Sequence, residues 1–142
     1  MQLHNRHYWG FESIDMLRTI ILVGVGGGVG SILRYLITFF SNKYFSSSFP
    51  VGTFLVNVLG CLFIGLLIGV FEKQLTLNAD FRHLFVAGFC GGFTTFSTFA
   101  SENIALMQSG NYITSILYVS ASVLIGLSAV FLGMLLIKSA IV

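Results

Sequence analysis

Residues 91–99 read Gly-Gly-Phe-Thr-Thr-Phe-Ser-Thr-Phe, and this stretch determines how the chain can fold. It lies inside an otherwise apolar segment, Leu84–Met107, which is long enough to cross a bilayer core of about 30 Å as a helix. Two adjacent glycines followed by hydroxyl side chains weaken a helix, because glycine has a large entropic cost and Ser and Thr compete for backbone hydrogen bonds. A broken helix at membrane depth is tolerated only where it is buried in protein or lines a cavity. The stretch therefore predicts a transmembrane helix that breaks near the middle of the membrane.

Three further segments, on either side of this one, also have the length of a transmembrane helix. They are Leu17–Phe40, Val51–Phe71 and Ile113–Ile137. The connections between the four segments are polar, and the single proline, Pro50, suits the first turn of the helix that follows it. The sequence therefore predicts an all-α membrane protein with four transmembrane helices and a broken third helix.

The composition agrees with a chain embedded in lipid. Of its 142 residues, 56% are hydrophobic and only 8% are charged, whereas ordinary soluble domains have about 25% charged residues. The net charge is only +2 and no basic run occurs, so the sequence indicates no nucleic-acid partner. The motifs of zinc proteases, thiol redox proteins and serine hydrolases are missing, so we expect no enzymatic activity.

The first span contains a glycine-rich run over residues 24–30. Its glycines do not have the spacing of a dinucleotide-binding loop, and no P-loop sequence is present. The pairs Gly24/Gly28 and Gly26/Gly30 have the small-xxx-small spacing of closely packed membrane helices. We therefore expect close helix packing here and no nucleotide partner.

Polar residues at membrane depth are costly, so those inside the spans are candidates for function. Arg34 of the first span either reaches the headgroups or places a positive charge at the mouth of an anion path. Asn57 of the second span can donate two hydrogen bonds to a desolvated anion, with an interhelical packing bond as the alternative. Phe96 and Phe99 share a helix face, and their positively polarised ring edges can contact an anion. Such a pair usually belongs to a packed core, so the hypothesis depends on the hydroxyl residues around it.

The fourth span offers further donors. Tyr118 and Ser122 are four residues apart, so their hydroxyls lie along one helix face. A small-residue packing face is the alternative on spacing alone. Glu102 is the only acidic residue within a span, and a position near the end of the third span is compatible with an interfacial or a buried side chain.

Together these features resemble the CrcB/Fluc family of fluoride channels. The resemblance depends on residues 91–99, on Gly-Thr-Phe-Leu-Val-Asn at residues 52–57, and on the glycine-rich run that leads to Arg34. It extends from about Met16 to the C-terminus. We therefore expect a tail over residues 1–15 and a four-helix transmembrane channel domain over residues 16–142.

The resemblance implies an antiparallel homodimer of four-helix subunits with two fluoride pores and a central structural sodium ion. The sodium ligands would be the backbone carbonyls of Gly91 and Thr94 in both copies. Arg34 matches the arginine of the family's first helix, at the vestibule. The pore residues implied by the match are Asn57, Phe96, Ser97, Thr98, Phe99, Tyr118 and Ser122. The next position of the polar track falls on Gly126, which has no hydroxyl.

The expected function is a passive channel that exports fluoride from the cytoplasm across the cell (inner) membrane, in contact with membrane lipid on its outer faces. A small multidrug-type proton antiporter is one alternative, but it would need a buried carboxylate that the first span lacks. A membrane subunit that transports nothing, whose polar stripes serve only packing, is the other alternative.

Lysine and arginine are unevenly distributed about the spans. Four spans place both termini and the middle loop on one side, and the cationic residues there are Arg6, Arg18, Lys73, Arg82 and Lys138. The opposite side has Lys43. This bias favours termini in the cytoplasm, whereas an antiparallel dimer requires the chain to insert in both orientations. The antiparallel dimer remains our expectation.

Overall fold

A computed structural model describes residues 5–73 and 78–140, with only the backbone described for residues 5–13 and Lys73. All the regular secondary structure in these ranges is helical. The helices are α1 (Asn5–Tyr44), α2 (Val51–Lys73), α3 (Ala79–Arg82), a π-helical segment (His83–Cys90), α4 (Gly91–Phe93), α5 (Phe96–Gln108) and α6 (Tyr112–Ala140).

Four helical stretches are long and apolar enough to cross a membrane, which confirms the predicted number of spans. The first to fourth spans are Ile14–Tyr44, Val51–Glu72, Ala79–Gln108 and Tyr112–Ala140. The third span begins five residues before the predicted Leu84, because Asn78 caps it and accepts a hydrogen bond from the Asp80 N–H at 3.4 Å. Asp80 also forms an ion pair with Arg18 of the first span, so a charged turn that resembles a loop in sequence is helical here.

The predicted tail is continuous with the first span in the described residues. Helix α1 begins at Asn5 and has 40 residues, so at 1.5 Å per residue it is about 60 Å long. Residues 1–4 of the predicted tail lie outside the described residues.

The first span packs on the N-terminal half of the third span, and glycine makes this packing possible. A Cβ on Gly26 or on Gly30 would overlap carbonyl oxygens of the π-helical segment, so only glycine fits there. Gly24 and Gly28 face open space within the single chain. Only one of the two predicted small-residue pairs therefore makes the expected contact within the subunit.

The second and fourth spans form the other tightly packed pair. A Cβ on Gly65 would overlap the carbonyl of Val130, and one on Gly133 would lie 2.7 Å from the backbone nitrogen of Leu66. Backbones in contact at this separation gain dispersion energy along the whole helix pair, which replaces the hydrophobic driving force that lipid cannot supply.

Ion pairs join each of these helix pairs at one end of the bundle. Arg18 pairs with Asp80 between the first and third spans, and Lys138 Nζ lies 2.9 Å from Glu72 Oε2 between the second and fourth. The end of the bundle that contains these ion pairs is named the terminal end. The opposite end, with the connections at residues 45–50 and 109–111, is named the turn end.

The third span breaks at Thr94 and Thr95, which confirms the predicted broken helix. Thr94 has ψ 158° and Thr95 has φ −149°, so both residues are extended. The two glycines before the break remain helical. Gly92 lies so close to α1 that a Cβ would overlap the backbone of Gly27; this glycine therefore serves close helix packing, and the helix ends at the threonines instead.

Candidate functional site

A cavity of about 480 Å³ lies beside the break in the third span. The predicted site residues that line it come from the second, third and fourth spans: Asn57, Gly91, Thr94, Phe96, Phe99 and Ser122. None of the described residues in its wall is charged. The cavity therefore combines a few polar groups and aromatic rings at the depth where the helix is interrupted.

Asn57 binds the backbone at the break through both ends of its side-chain amide. Its Oδ1 accepts a hydrogen bond from the Thr95 N–H at 2.9 Å, and its Nδ2 donates to the Thr95 carbonyl at 3.2 Å. The amide thus replaces the helical acceptor that the Thr95 N–H loses and adds a hydrogen bond to the Thr95 carbonyl. An interhelical bond of this kind is the alternative prediction for Asn57. Because Nδ2 has two hydrogens, Asn57 can hold the break and still donate one hydrogen bond into the cavity.

The bonds at the break remove the backbone donors of two particular carbonyls. In an unbroken helix the N–H of Thr95 would bond to the carbonyl of Gly91, and the N–H of Thr98 to that of Thr94. Instead Thr95 donates to Asn57, and Thr98 donates to Thr95 Oγ1 at 3.3 Å. The carbonyls of Gly91 and Thr94, the predicted sodium ligands, are therefore released from helical bonding by the same two contacts that form the break.

Thr95 caps the N-terminus of α5 and organises the two hydroxyl residues that follow. Its Oγ1 accepts from the Thr98 N–H and lies 2.9 Å from Thr98 Oγ1 and 3.4 Å from Ser97 Oγ. Ser97 and Thr98 are exposed on the surface of the subunit, outside the cavity wall. The predicted pore hydroxyls of these two residues are thus placed at the helix cap rather than in the cavity of the single chain.

The two phenylalanines occupy different environments. Their ring centroids are 5.9 Å apart with an interplanar angle of 40°. Phe96 is 80% exposed and projects from the subunit, whereas Phe99 is partly buried and contacts the Tyr118 ring at 4.9 Å and 62°. Phe99 therefore packs its ring on both Tyr118 and Phe96, whereas Phe96 contacts Phe99 and otherwise projects from the subunit.

Tyr118 lies against an acidic residue whose position the sequence left open. Tyr118 is fully buried, and its hydroxyl donates to Glu102 Oε2 at 2.9 Å. Thr53 donates to Glu102 Oε1 at 2.7 Å, so the carboxylate joins the second, third and fourth spans. The role of Thr53 was not predictable, because nothing in one sequence indicates which side chain meets Glu102 from another helix.

The remaining predicted site residues make fewer contacts with the other residues of the site. Ser122 Oγ is buried in the cavity wall, and no hydrogen-bond partner for it exists among the described residues. A Cβ at Gly126, where the predicted track lacks a hydroxyl, would lie 3.4 Å from Cys61 Sγ; Cys61 also lines the cavity. Arg34 is partly buried on the first span and does not line this cavity.

The chain is similar to a protein family and to curated proteins over most of its length. The family model described as "CrcB-like protein, Camphor Resistance (CrcB)" matches residues 21–134. Among curated proteins, one from Azobacteroides pseudotrichonymphae is 47% identical over 121 residues, covering 85% of this chain and 97% of its relative. One from Flavobacterium psychrophilum is 45% identical over 122 residues (86% and 98%), and one from Phocaeicola vulgatus is 42% identical over 117 residues (82% and 96%). All three are named "Fluoride-specific ion channel FluC".

Proposed function

The chain belongs to the CrcB family, and on that premise we propose that it is a passive, fluoride-selective channel that exports fluoride from the cytoplasm. It is a multi-pass protein of the inner membrane and has no enzymatic role. The observation that supports this function most directly is the uncharged cavity at the break, lined by Asn57, Ser122 and the two phenylalanines.

The chemistry of this cavity suits a small, strongly hydrated anion. Desolvation is the main barrier for fluoride, and fixed donors such as Asn57 Nδ2 and Ser122 Oγ replace part of its water shell. The ring edges of Phe96 and Phe99 offer partial positive charge without a cation that would trap the ion. Asn57, Phe96, Ser97, Thr98, Phe99, Tyr118 and Ser122 form the proposed path, with Arg34 at the vestibule. Because transport is passive, the direction of net flow follows the fluoride gradient.

A second, antiparallel copy completes the proposed channel. Gly91, Phe96, Ser97 and Thr98 are exposed on the surface that the single subunit presents around the break. Irregular backbone and hydroxyl groups at membrane depth must be covered by protein rather than by lipid. A copy of the same chain in the opposite orientation presents the same face, and two breaks would then meet at the centre of the dimer.

The proposed sodium ion lies between the two breaks. The carbonyls of Gly91 and Thr94 lack helical donors, and unwound backbone carbonyls are the groups with which broken membrane helices coordinate sodium. Two carbonyls from each copy would supply four oxygen ligands. Among the described residues no group of three or more His, Cys, Asp or Glu could hold a metal ion.

Efflux from liposomes tests the proposed function. Purified protein is reconstituted in vesicles loaded with fluoride or, in parallel, with chloride, and release is followed with ion-selective electrodes. We expect rapid release of fluoride and no release of chloride above that of empty vesicles. Retention of both ions by vesicles that contain a folded protein would contradict a channel, and equal release of both would contradict selectivity.

Removal of sodium tests the proposed structural ion. Exchange of sodium for N-methylglucamine in all buffers is expected to lower the thermal midpoint of the purified protein and to reduce fluoride efflux, because the four carbonyls would be left unsatisfied in a dry interface. Re-addition of sodium should restore both. Unchanged stability and efflux in buffers verified as sodium-free would contradict the site.

A further inference from the structure

A buried polar pair joins α5 to α6 outside the cavity wall and outside the proposed ion path. Ser115 Oγ donates to Asn103 Oδ1 at 2.9 Å, and the Asn103 Nδ2 donates to the Phe99 carbonyl at 2.9 Å. Asn103 is only 5% exposed and Ser115 only 4%. A buried polar pair costs desolvation energy relative to an apolar one, so its presence calls for a role.

The position of α5 within the subunit depends on few contacts. Two extended residues, Thr94 and Thr95, separate it from the rest of the third span, so helix continuity does not fix its rotation. Among the described elements it packs mainly on α6, with a smaller contact to α2. Rotation of α5 about its own axis is therefore set by side-chain contacts across these interfaces.

The α5–α6 interface has two polar contacts, which join adjacent residues of α5 to residues three apart on α6. One joins Asn103 to Ser115, and the other joins Glu102 to Tyr118. Ser115 and Tyr118 are three residues apart and share a face of α6. A single contact between two helices allows rotation about that point, whereas two contacts from side chains about 100° apart around the α5 axis restrict that rotation.

We infer that the Asn103–Ser115 hydrogen bond positions the fluoride path: it sets the rotation of α5 on α6 and so keeps Glu102 and Phe99 against Tyr118. Tyr118 meets both residues, through its hydroxyl and its ring respectively. A rotation of α5 by one residue position, about 100°, would move both away from Tyr118. Asn103 and Ser115 are thus positioning residues without contact to the ion, and the inference rests on the proposed function.

Substitutions at residue 115 separate the effect of the hydroxyl group from the effect of side-chain volume. Ser115→Val and Ser115→Thr add similar bulk at this buried position, but only Thr keeps the hydroxyl. We expect fluoride efflux of Ser115→Thr to stay close to wild type, and that of Ser115→Val to fall by about fivefold, the factor that corresponds to the loss of one hydrogen bond. Equal efflux in the two variants, whether high or low, would overturn the inference.

A double substitution distinguishes a loss of fluoride efflux from a loss of folding stability. Replacing both partners by apolar residues is close to neutral for folding, so Asn103→Leu with Ser115→Ala is expected to form a dimer with a thermal midpoint near that of wild type. Its fluoride efflux should nevertheless be reduced by a similar factor. Wild-type efflux from this double variant would overturn the inference.

A double-mutant cycle with Tyr118→Phe distinguishes positioning from a general structural effect. If Ser115 acts through the Glu102–Tyr118 contact, Ser115→Val should reduce efflux by a smaller factor in the Tyr118→Phe background than in wild type. The same factor in both backgrounds would overturn the proposed route of action. Fluoride efflux by the wild-type protein is the common reference, and its absence would count against the proposed function rather than against the positioning role.

Discussion

Asn57 shows how one side chain can serve both the fold and the ion path. Its amide holds the extended Thr95 through two hydrogen bonds, and it also lines the cavity. Without it, the Thr95 N–H would lack a partner at membrane depth, at a cost of about 1–3 kcal/mol. A packing bond and an anion donor, the two alternatives predicted for Asn57, are therefore compatible at this residue.

Asn57→Asp is expected to abolish most fluoride efflux. The aspartate keeps an acceptor for the Thr95 N–H but loses the donor to the Thr95 carbonyl, and it adds negative charge to the wall of an anion path. We expect a loss of about tenfold or more in liposome efflux. Asn111→Asp, at an exposed residue of the turn end, provides the control and should conduct normally; full activity of Asn57→Asp would remove Asn57 from the path.

Thr95 is expected to stabilise α5 through its cap. Thr95→Val has nearly the same shape but loses the oxygen that accepts from Thr98 N–H, which should cost about 1 kcal/mol of stability. Thr95→Ser keeps that oxygen and should retain the wild-type thermal midpoint in detergent. A midpoint of Thr95→Val that matches Thr95→Ser would show that the cap contributes nothing.

The residue types of the candidate site could be predicted more reliably than their contacts. Asn57, Phe99 and Ser122 were identified because polar or paired aromatic residues stand out in apolar spans, and all three line the cavity. The partnership of Glu102 with Thr53 and Tyr118 was not predictable. It joins three helices, and their relative rotation is not encoded in any local pattern.

At the scale of helices, the small-residue pattern predicted close packing but not its register. Two overlapping glycine pairs occur in the first span, and only Gly26/Gly30 meets the third span within the subunit. The break was likewise predictable within residues 91–99 but not to the residue. Gly92 stays helical because it packs against α1, and the extended backbone falls on Thr94 and Thr95, where Asn57 and the cap supply alternative hydrogen bonds.

Alanine substitutions in the first span distinguish the two registers. Gly26→Ala places a methyl group on the carbonyl of Leu84, so the first and third spans must separate; we expect loss of folded protein or a clearly lower thermal midpoint. Gly24→Ala, with open space around its Cβ, should behave like wild type. Equal stability of the two variants would place the packing face elsewhere.

At the scale of the whole molecule, the distribution of charge favours one orientation in the membrane, whereas the proposed antiparallel dimer requires both orientations. Arg18, Arg82 and Lys138 lie towards the terminal end and Lys43 lies at the turn end, while the side chains of Arg6 and Lys73 are outside the described residues. Ion pairs neutralise Arg18 and Lys138, although the topology rule counts cationic residues rather than net charge. Insertion in both orientations therefore depends strongly on the few charges at the turn end.

Lys43→Gln is expected to reduce channel activity without affecting the subunit fold. It removes the lysine of the turn end, so more copies should insert with their termini in the cytoplasm and fewer antiparallel dimers can form. A C-terminal tag should become less accessible from outside the cell, and fluoride export by cells should fall. Lys43→Gln combined with Asn111→Lys returns a lysine to the same end and should restore both. Unchanged export with a single orientation of the tag would contradict the antiparallel dimer.

The hairpin of α5 and α6 has a consequence for synthesis and membrane insertion. Gly110, with φ +78°, forms the tight turn between these helices, and the pairs Asn103–Ser115 and Glu102–Tyr118 are only 12 and 16 residues apart in the chain. Contacts of such short sequence separation form early. An amide, a carboxylate and two hydroxyls can therefore enter the lipid from the translocon already paired with one another, before the first and second spans have been brought alongside.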